Sequence, residues 1–214
     1  MWSITLKFLF YVGFTVLLAQ IISIEGFQRG IESEYSEYSL TEHLQSAFSI
    51  ISALLFLYSF KSNKDLKPVS LSLAALLLMM FVRESDMHLD TYAFDGAWQS
   101  IVACIILFTV TYLWENRQDI RKAALHYSQL SSNGLLICGL IVTLVFSRLM
   151  GRGVFWQSVL GDDYVYLRRV KNIVEEGTEL LGYSLILFAA LELAQYCRSQ
   201  SKEMKQAKLH LIEY

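Results

Sequence analysis

Apolar residues in this chain gather into long blocks rather than into stripes. Six blocks can be read: Ile4 to Ile24, Glu42 to Phe60, Leu66 to Glu84, Ala97 to Trp114, Asn133 to Met150 and Glu176 to Gln195. A helix that crosses a bilayer needs about 20 mostly apolar residues. The pattern therefore predicts an all-α, polytopic membrane helical bundle of about six transmembrane helices. The first block is long, lacks a small-x-small cleavage site and is followed by five more, so it is expected to be a retained helix and not a signal peptide. The connections leave no room for a soluble domain, which predicts a single integral membrane domain over residues 1–214.

Composition agrees with the pattern. Of the 214 residues 54% are hydrophobic, 18% are charged and one is proline, with a mean hydropathy of +0.39. Soluble domains carry about 25% charged residues.

Lys and Arg set the expected orientation. Lys61, Lys64 and Lys67 follow the second block, Arg117, Arg121 and Lys122 follow the fourth, and Arg198, Lys202, Lys205 and Lys208 follow the sixth. These ten share one side of a six-span chain. Arg29, Arg83, Arg148, Arg152, Arg168, Arg169 and Lys171 make seven on the other. Both termini are thus expected on the cytoplasmic side of the inner membrane.

The acids are more lopsided. Fourteen of the 20 fall on the expected outer side: Glu25, Glu32, Glu34, Glu37, Glu42, Glu84, Asp86, Asp90, Asp95, Asp162, Asp163, Glu175, Glu176 and Glu179. Acidic residues contribute little to topology, so the clustering needs its own explanation. Depth narrows it. Only 14 apolar or small residues separate Pro68 from Arg83, so a third span must take in Arg83 and Glu84. The apolar core of the sixth block runs only from Leu180 to Leu191, which draws Glu176 and Glu179, or Glu192, into the span. Ionisable groups at membrane depth are expensive unless paired or hydrated, and they point to function by default.

Spacing adds detail. Glu84 and His88 are four apart, as are Asp86 and Asp90, and each pair shares a face if the helix continues. Asn172, Glu175, Glu176 and Glu179 make one stripe at i, i+3, i+4 and i+7, and Glu42, Gln45, Ser46, Ser49 and Ser52 form another. Carboxylates with a His on facing helices are how bundles build metal sites. A His with two or three carboxylates suits Zn²⁺, Mn²⁺ or Fe²⁺. The expected metal ligands are Glu42, His88, Glu176 and Glu179, with Zn or Mn as the divalent ion. Glu84 and Asp86 are the expected catalytic residues, with Arg83 as orienting or oxyanion partner. A metal lowers the pKa of its water and a carboxylate serves as base, which implies hydrolysis of a lipid or another membrane-embedded substrate.

Two other readings of the cluster stand beside this one. It could be a structural or partner-binding network in a non-enzymatic membrane subunit or sensor, with Arg83 paired to Glu176 or Glu179 and with Lys171 and Arg148 neutralising other acids. It could also be an ion pathway, with Glu179 as its first residue. For Glu25, Glu32, Glu34 and Glu37 a solvated loop is the expectation. A homo-oligomer or a larger membrane complex fits any of these.

Weaker signals complete the sequence. His43, His126 and His210 are read as incidental, and Cys104, Cys138 and Cys197 form no CxxC and no disulfide pattern. Trp98, Trp114, Trp156 and Tyr196 sit near block edges as an aromatic belt does. Gly134, Gly139, Gly151 and Gly153 suit close packing of the fifth helix. The stretch from Gly151 to Lys171 suits a short interfacial helix with a turn at Gly161. No Walker A loop, GxGxxG, GxSxG or HExxH occurs, and no basic patch interleaved with aromatics speaks for nucleic acid.

The strings Thr41-Glu42-His43-Leu44-Gln45, Arg83-Glu84-Ser85-Asp86-Met87-His88-Leu89-Asp90, Phe94-Asp95-Gly96-Ala97-Trp98-Gln99 and Val174-Glu175-Glu176-Gly177-Thr178-Glu179-Leu180-Leu181-Gly182-Tyr183 resemble motifs of small bacterial six-span inner-membrane proteins of unassigned activity. More loosely, the chain resembles the alkaline ceramidase-like membrane hydrolases, which place Ser, Asp and His at a membrane edge to bind zinc. It departs from them in having six blocks where they have seven spans. It also offers Glu175 and Glu179 where they carry paired histidines on a late helix.

Overall fold

A computed structural model describes residues 4–29, 39–161 and 164–212, and its described residues are helical with short turns. The helices are α1 (Ile4–Arg29), α2 (Leu40–Ser62), α3 (Lys67–Glu84), α4 (Asp86–Tyr92), α5 (Ala97–Glu115), α6 (Arg117–Ser128), α7 (Ser131–Ile141), α8 (Ser147–Met150), α9 (Gly153–Leu160) and α10 (Tyr164–Ile212). A π-helical segment, Val142–Phe146, joins α7 to α8.

Five stretches are long and apolar enough to cross a membrane: Ile4–Gly26, Leu40–Ser62, Ala97–Glu115, Ser131–Met150 and Leu167–Met204. They match five of the six blocks. The third block forms α3, whose 18 residues include Lys67, Arg83 and Glu84. The sixth block belongs to a much longer helix than its apolar core suggested, the 49-residue α10. Large apolar side chains on α1 and α5 point outward, with Phe8, Leu107 and Phe108 each 64–69% exposed. Such a surface is costly in water and ordinary against lipid tails. Among the described residues the fold is all-helical, with five helical stretches whose length and composition are compatible with an integral membrane protein.

Two compact units are distinguished. Unit 1 comprises residues 1–48 and 136–188, and unit 2 comprises residues 49–135 and 189–214. In unit 1, α1 meets α2 and α10 through aromatic rings. Tyr11 stacks on Phe188 at 4.3 Å between centroids, and Phe14 lies 5.4 Å from Phe188 and 5.6 Å from Phe48. Such pairs contribute about 0.5–1.5 kcal/mol each beyond area burial. Also in unit 1, α7 and α10 approach at glycines. A Cβ on Gly139 would stand 2.9 Å from Gly182 O, and one on Gly182 would stand 3.0 Å from Gly139 O and collide with the Thr143 hydroxyl. Gly139 thus serves the close packing expected of it. Gly134 and Gly153 face open space, so close packing does not explain them.

In unit 2, Ser49 Oγ donates to Leu77 O at 2.8 Å, tying α2 to α3. The α2–α3 turn is closed by Asn63, whose Oδ1 accepts from Asp65 N at 2.9 Å. At the α4–α5 turn Gly96 takes φ +87°, a left-handed conformation that glycine adopts without penalty, and its N–H donates to Asp90 Oδ1 at 3.1 Å. Gly161, at φ +78°, ends α9, so the short helix and the turn expected between Gly151 and Lys171 are both present.

Candidate functional site

The polar side chains of unit 1 meet where α10 passes the start of α2 and the start of α8. Helical periodicity places Glu175, Glu176 and Glu179 on one face of α10. Glu179 is buried, 6% exposed, and its Oε1 accepts from Arg148 Nη2 at 3.0 Å and from Ser147 Oγ at 3.2 Å. The Ser147 hydroxyl is shared, because it also lies 2.5 Å from Thr143 O. Glu175 Oε1 lies 3.4 Å from Arg148 Nη1, and its Oε2 lies 3.8 Å from Lys171 Nζ. Arg148 therefore bridges two carboxylates one turn apart.

Glu176 faces α2. Its Oε2 accepts from Ser39 Oγ at 3.3 Å, and its backbone carbonyl accepts from Gln45 Nε2 at 3.0 Å. Ser39 Oγ also accepts from Glu42 N at 3.1 Å, which caps the first turn of α2. Glu25, Glu42 and Glu179 are near enough to act on Glu176 electrostatically.

Glu25 corrects the solvated-loop expectation. It lies in α1, is 6% exposed, and accepts from Leu40 N at 2.8 Å, Thr41 N at 3.2 Å and Thr41 Oγ1 at 2.6 Å. One carboxylate thus receives two of the free N–H groups that every helix start leaves. Glu32, Glu34, Glu37, Asp162 and Asp163 lie outside the described residues.

The expected catalytic residues lie in unit 2. Arg83 Nη2 pairs with its neighbour Glu84 Oε1 at 2.9 Å, with side chains 51% and 23% exposed. Arg148 stands beside both Glu175 and Glu179, and Lys171 beside Glu175. The shared face of Glu84 and His88 depends on an unbroken helix, and the helix is interrupted at Ser85. Its N–H turns back to Phe81 O and Val82 O and its hydroxyl donates to Phe81 O, so α3 ends at Glu84 and α4 restarts at Asp86. Asp86 is exposed, Asp90 holds the turn at Gly96, and the side chain of His88 lies outside those described.

Glu42, Glu176 and Glu179 share one neighbourhood in unit 1, while Arg83, Glu84 and Asp86 belong to unit 2. Among the described residues no three His, Cys, Asp or Glu side chains are arranged to hold a metal ion. The residues missed from sequence were Ser39, Ser147 and Glu25. Ser39-Leu40-Thr41-Glu42 has the S-x-x-E spacing of a capping box, a legible signal for Ser39. No local pattern marks Glu25.

No family model, curated protein or solved structure matches this chain.

Proposed function

We propose that this multi-span protein is a non-catalytic membrane scaffold whose buried carboxylates join its helices, in the manner of a subunit or sensor. The carrying observation is the engagement of Glu179, buried and held by both Arg148 and Ser147. Glu25 and Glu176 bind helix α2 in the same unit through backbone and hydroxyl donors. A carboxylate that is desolvated and used up on neighbouring helices supports packing, because interhelical hydrogen bonds and close packing replace the hydrophobic driving force inside a bilayer.

The finer topology in this proposal is six spans in the cytoplasmic (inner) membrane with both termini inside. The sixth span would be α3. Its charges sit at its two ends, Lys67 at one and Arg83 with Glu84 at the other, while Leu71, Ala74, Ala75 and Leu77 between them are buried. At 1.5 Å per residue its 18 residues reach about 27 Å, close to the thickness of the hydrocarbon core.

A pair of variants tests the role of the carboxylates. Arg148→Gln strands Glu179 without its cation and lowers thermal stability. Losing one partner of a buried pair costs about 3–5 kcal/mol, trimmed to about 1–3 kcal/mol here because the Arg148 side chain is 45% exposed. Arg148→Gln with Glu179→Gln recovers most of that loss. Additive losses in the double variant would remove the support for a joint.

A further inference from the structure

One end of unit 2 gathers positive charge. Three contacts define that end. Phe60 and Tyr112 meet edge-to-face at 5.6 Å, joining the ends of α2 and α5. His126 Nε2 lies 2.9 Å from Tyr196 Oη, joining α6 to α10. Tyr127 Oη lies 3.0 Å from Ser132 Oγ, which donates to Ala189 O at 2.7 Å. Helix α6 is thus held across the end by its buried face, Ala123 and Tyr127.

Its other faces are exposed and basic. Arg117, Arg121 and Lys122 stand on α6, with exposed Lys61 and Lys64 at the α2–α3 turn and Arg198 on α10. The exposed acids beside them are Asp65, Glu115 and Asp119, so six cations face three anions. Position along the membrane normal follows from the neighbours. Candidate spans end at Glu115 and begin at Ser131, immediately before and after α6. The Arg117 guanidinium lies 5.7 Å from the centroid of the exposed Trp114 ring, and tryptophan favours headgroup depth. Leu125, 57% exposed, lies one turn beyond Arg121 and Lys122, giving α6 an apolar foothold among its cations.

We propose that α6 is an interfacial helix whose Arg117, Arg121 and Lys122 bind the phosphate headgroups of anionic lipids. Charge complementarity and headgroup depth choose the occupant. Long basic side chains bury their stems and present their charge at the interface, and each adds roughly fivefold to the attraction for an anionic surface. The inference rests on the multi-span reading but not on the role of the carboxylates or on which face is cytoplasmic.

The test uses full-length protein in nanodiscs of phosphatidylcholine, alone or with phosphatidylglycerol as the minor lipid in both leaflets. Wild type is expected to retain phosphatidylglycerol in preference to phosphatidylcholine when released for native mass spectrometry, and to gain thermal stability from it. High salt weakens both effects. The R117Q/R121Q/K122Q variant is expected to lose the gain and most of the preference, each compared with the same variant in pure phosphatidylcholine so that a change in basal stability cancels. R152Q, which removes an exposed cation of unit 1, is expected to keep both. Equal lipid preference in wild type and the triple variant overturns the proposal, and so does an equal loss in R152Q. Because phosphatidylglycerol is present in both leaflets, a reversed topology leaves these results unchanged.

Discussion

Glu25 and Thr41 are joined by a 2.6 Å hydrogen bond from the threonine hydroxyl to the carboxylate, and the same carboxylate receives the N–H groups of Leu40 and Thr41. An acid from α1 therefore caps α2. The arrangement suits a helix start in two ways: it satisfies free donors, and it sets negative charge at the positive end of the helix dipole.

Glu25→Ala should destabilise the protein by about 1–3 kcal/mol, the cost of leaving buried donors unsatisfied. Glu25→Gln retains one acceptor oxygen and should lie between alanine and wild type. Thermal unfolding in detergent measures the order. A neutral alanine variant would mean that the cap contributes nothing.

The contact between α7 and α10 makes a second prediction. Gly182→Ala places a methyl group 2.8 Å from Thr143 N and 3.0 Å from Gly139 O, backbone atoms that cannot swing aside. A loss of about 1–3 kcal/mol is expected, the usual cost of overpacking. Gly153→Ala meets open space and should cost nothing. Equal stability of the two variants would argue against the close approach.

Tyr127, in α6 and outside the spans, gives a pH dependence. Burial pushes its phenol up from 10.0 to about 12, and its hydrogen bond with Ser132 pulls the other way. Between these values the folded state keeps a proton that the unfolded state has lost. The stabilisation is present in full below about pH 10 and is lost as pH rises toward 12, amounting to about 3 kcal/mol at 1.36 kcal/mol per unit. Phenolate absorbance should show a late-titrating tyrosine that Tyr127→Phe removes. If that variant instead removes a tyrosine titrating at the ordinary value, the shift is absent.

Topology is open to labelling. Cysteines introduced at Lys64 and at Ser128 should react with a membrane-impermeant reagent only from the cytoplasmic face, and one at Asp95 only from the opposite face. Asp95 and Ser128 flank α5, while Lys64 and Asp95 flank α3 and α4 together. Labelling of Lys64→Cys and Asp95→Cys from the same face would remove α3 from the spans.

Much of the fold is legible along the chain because segregation into lipid is decided by a local window of residues. Blocks of apolar side chains mark α1, α2, α5, α10 and the run from α7 to α8. A three-to-four-residue period puts Glu175, Glu176 and Glu179 on one face, and the S-x-x-E spacing marks the start of α2 at Ser39. Helix α3 is ambiguous along the chain, because its length suits a span while its end charges lower its hydropathy.

Partner choice belongs to the tertiary structure. The sequence offers Arg83, Arg148 and Lys171 as cations for the acids of α10, and nothing local selects among them. The fold brings Arg148 and Lys171 to Glu175, brings Arg148 to Glu179, and pairs Arg83 with Glu84. Glu25 reaches a helix 15 residues further on, and Ser39 reaches Glu176 across 137 residues. Sequence determined which segments leave water, since that depends on side chains close together in the chain. Only the packed helices decided what each buried charge meets, since an ion pair or hydrogen bond requires two groups within about 3–4 Å whatever their separation in sequence.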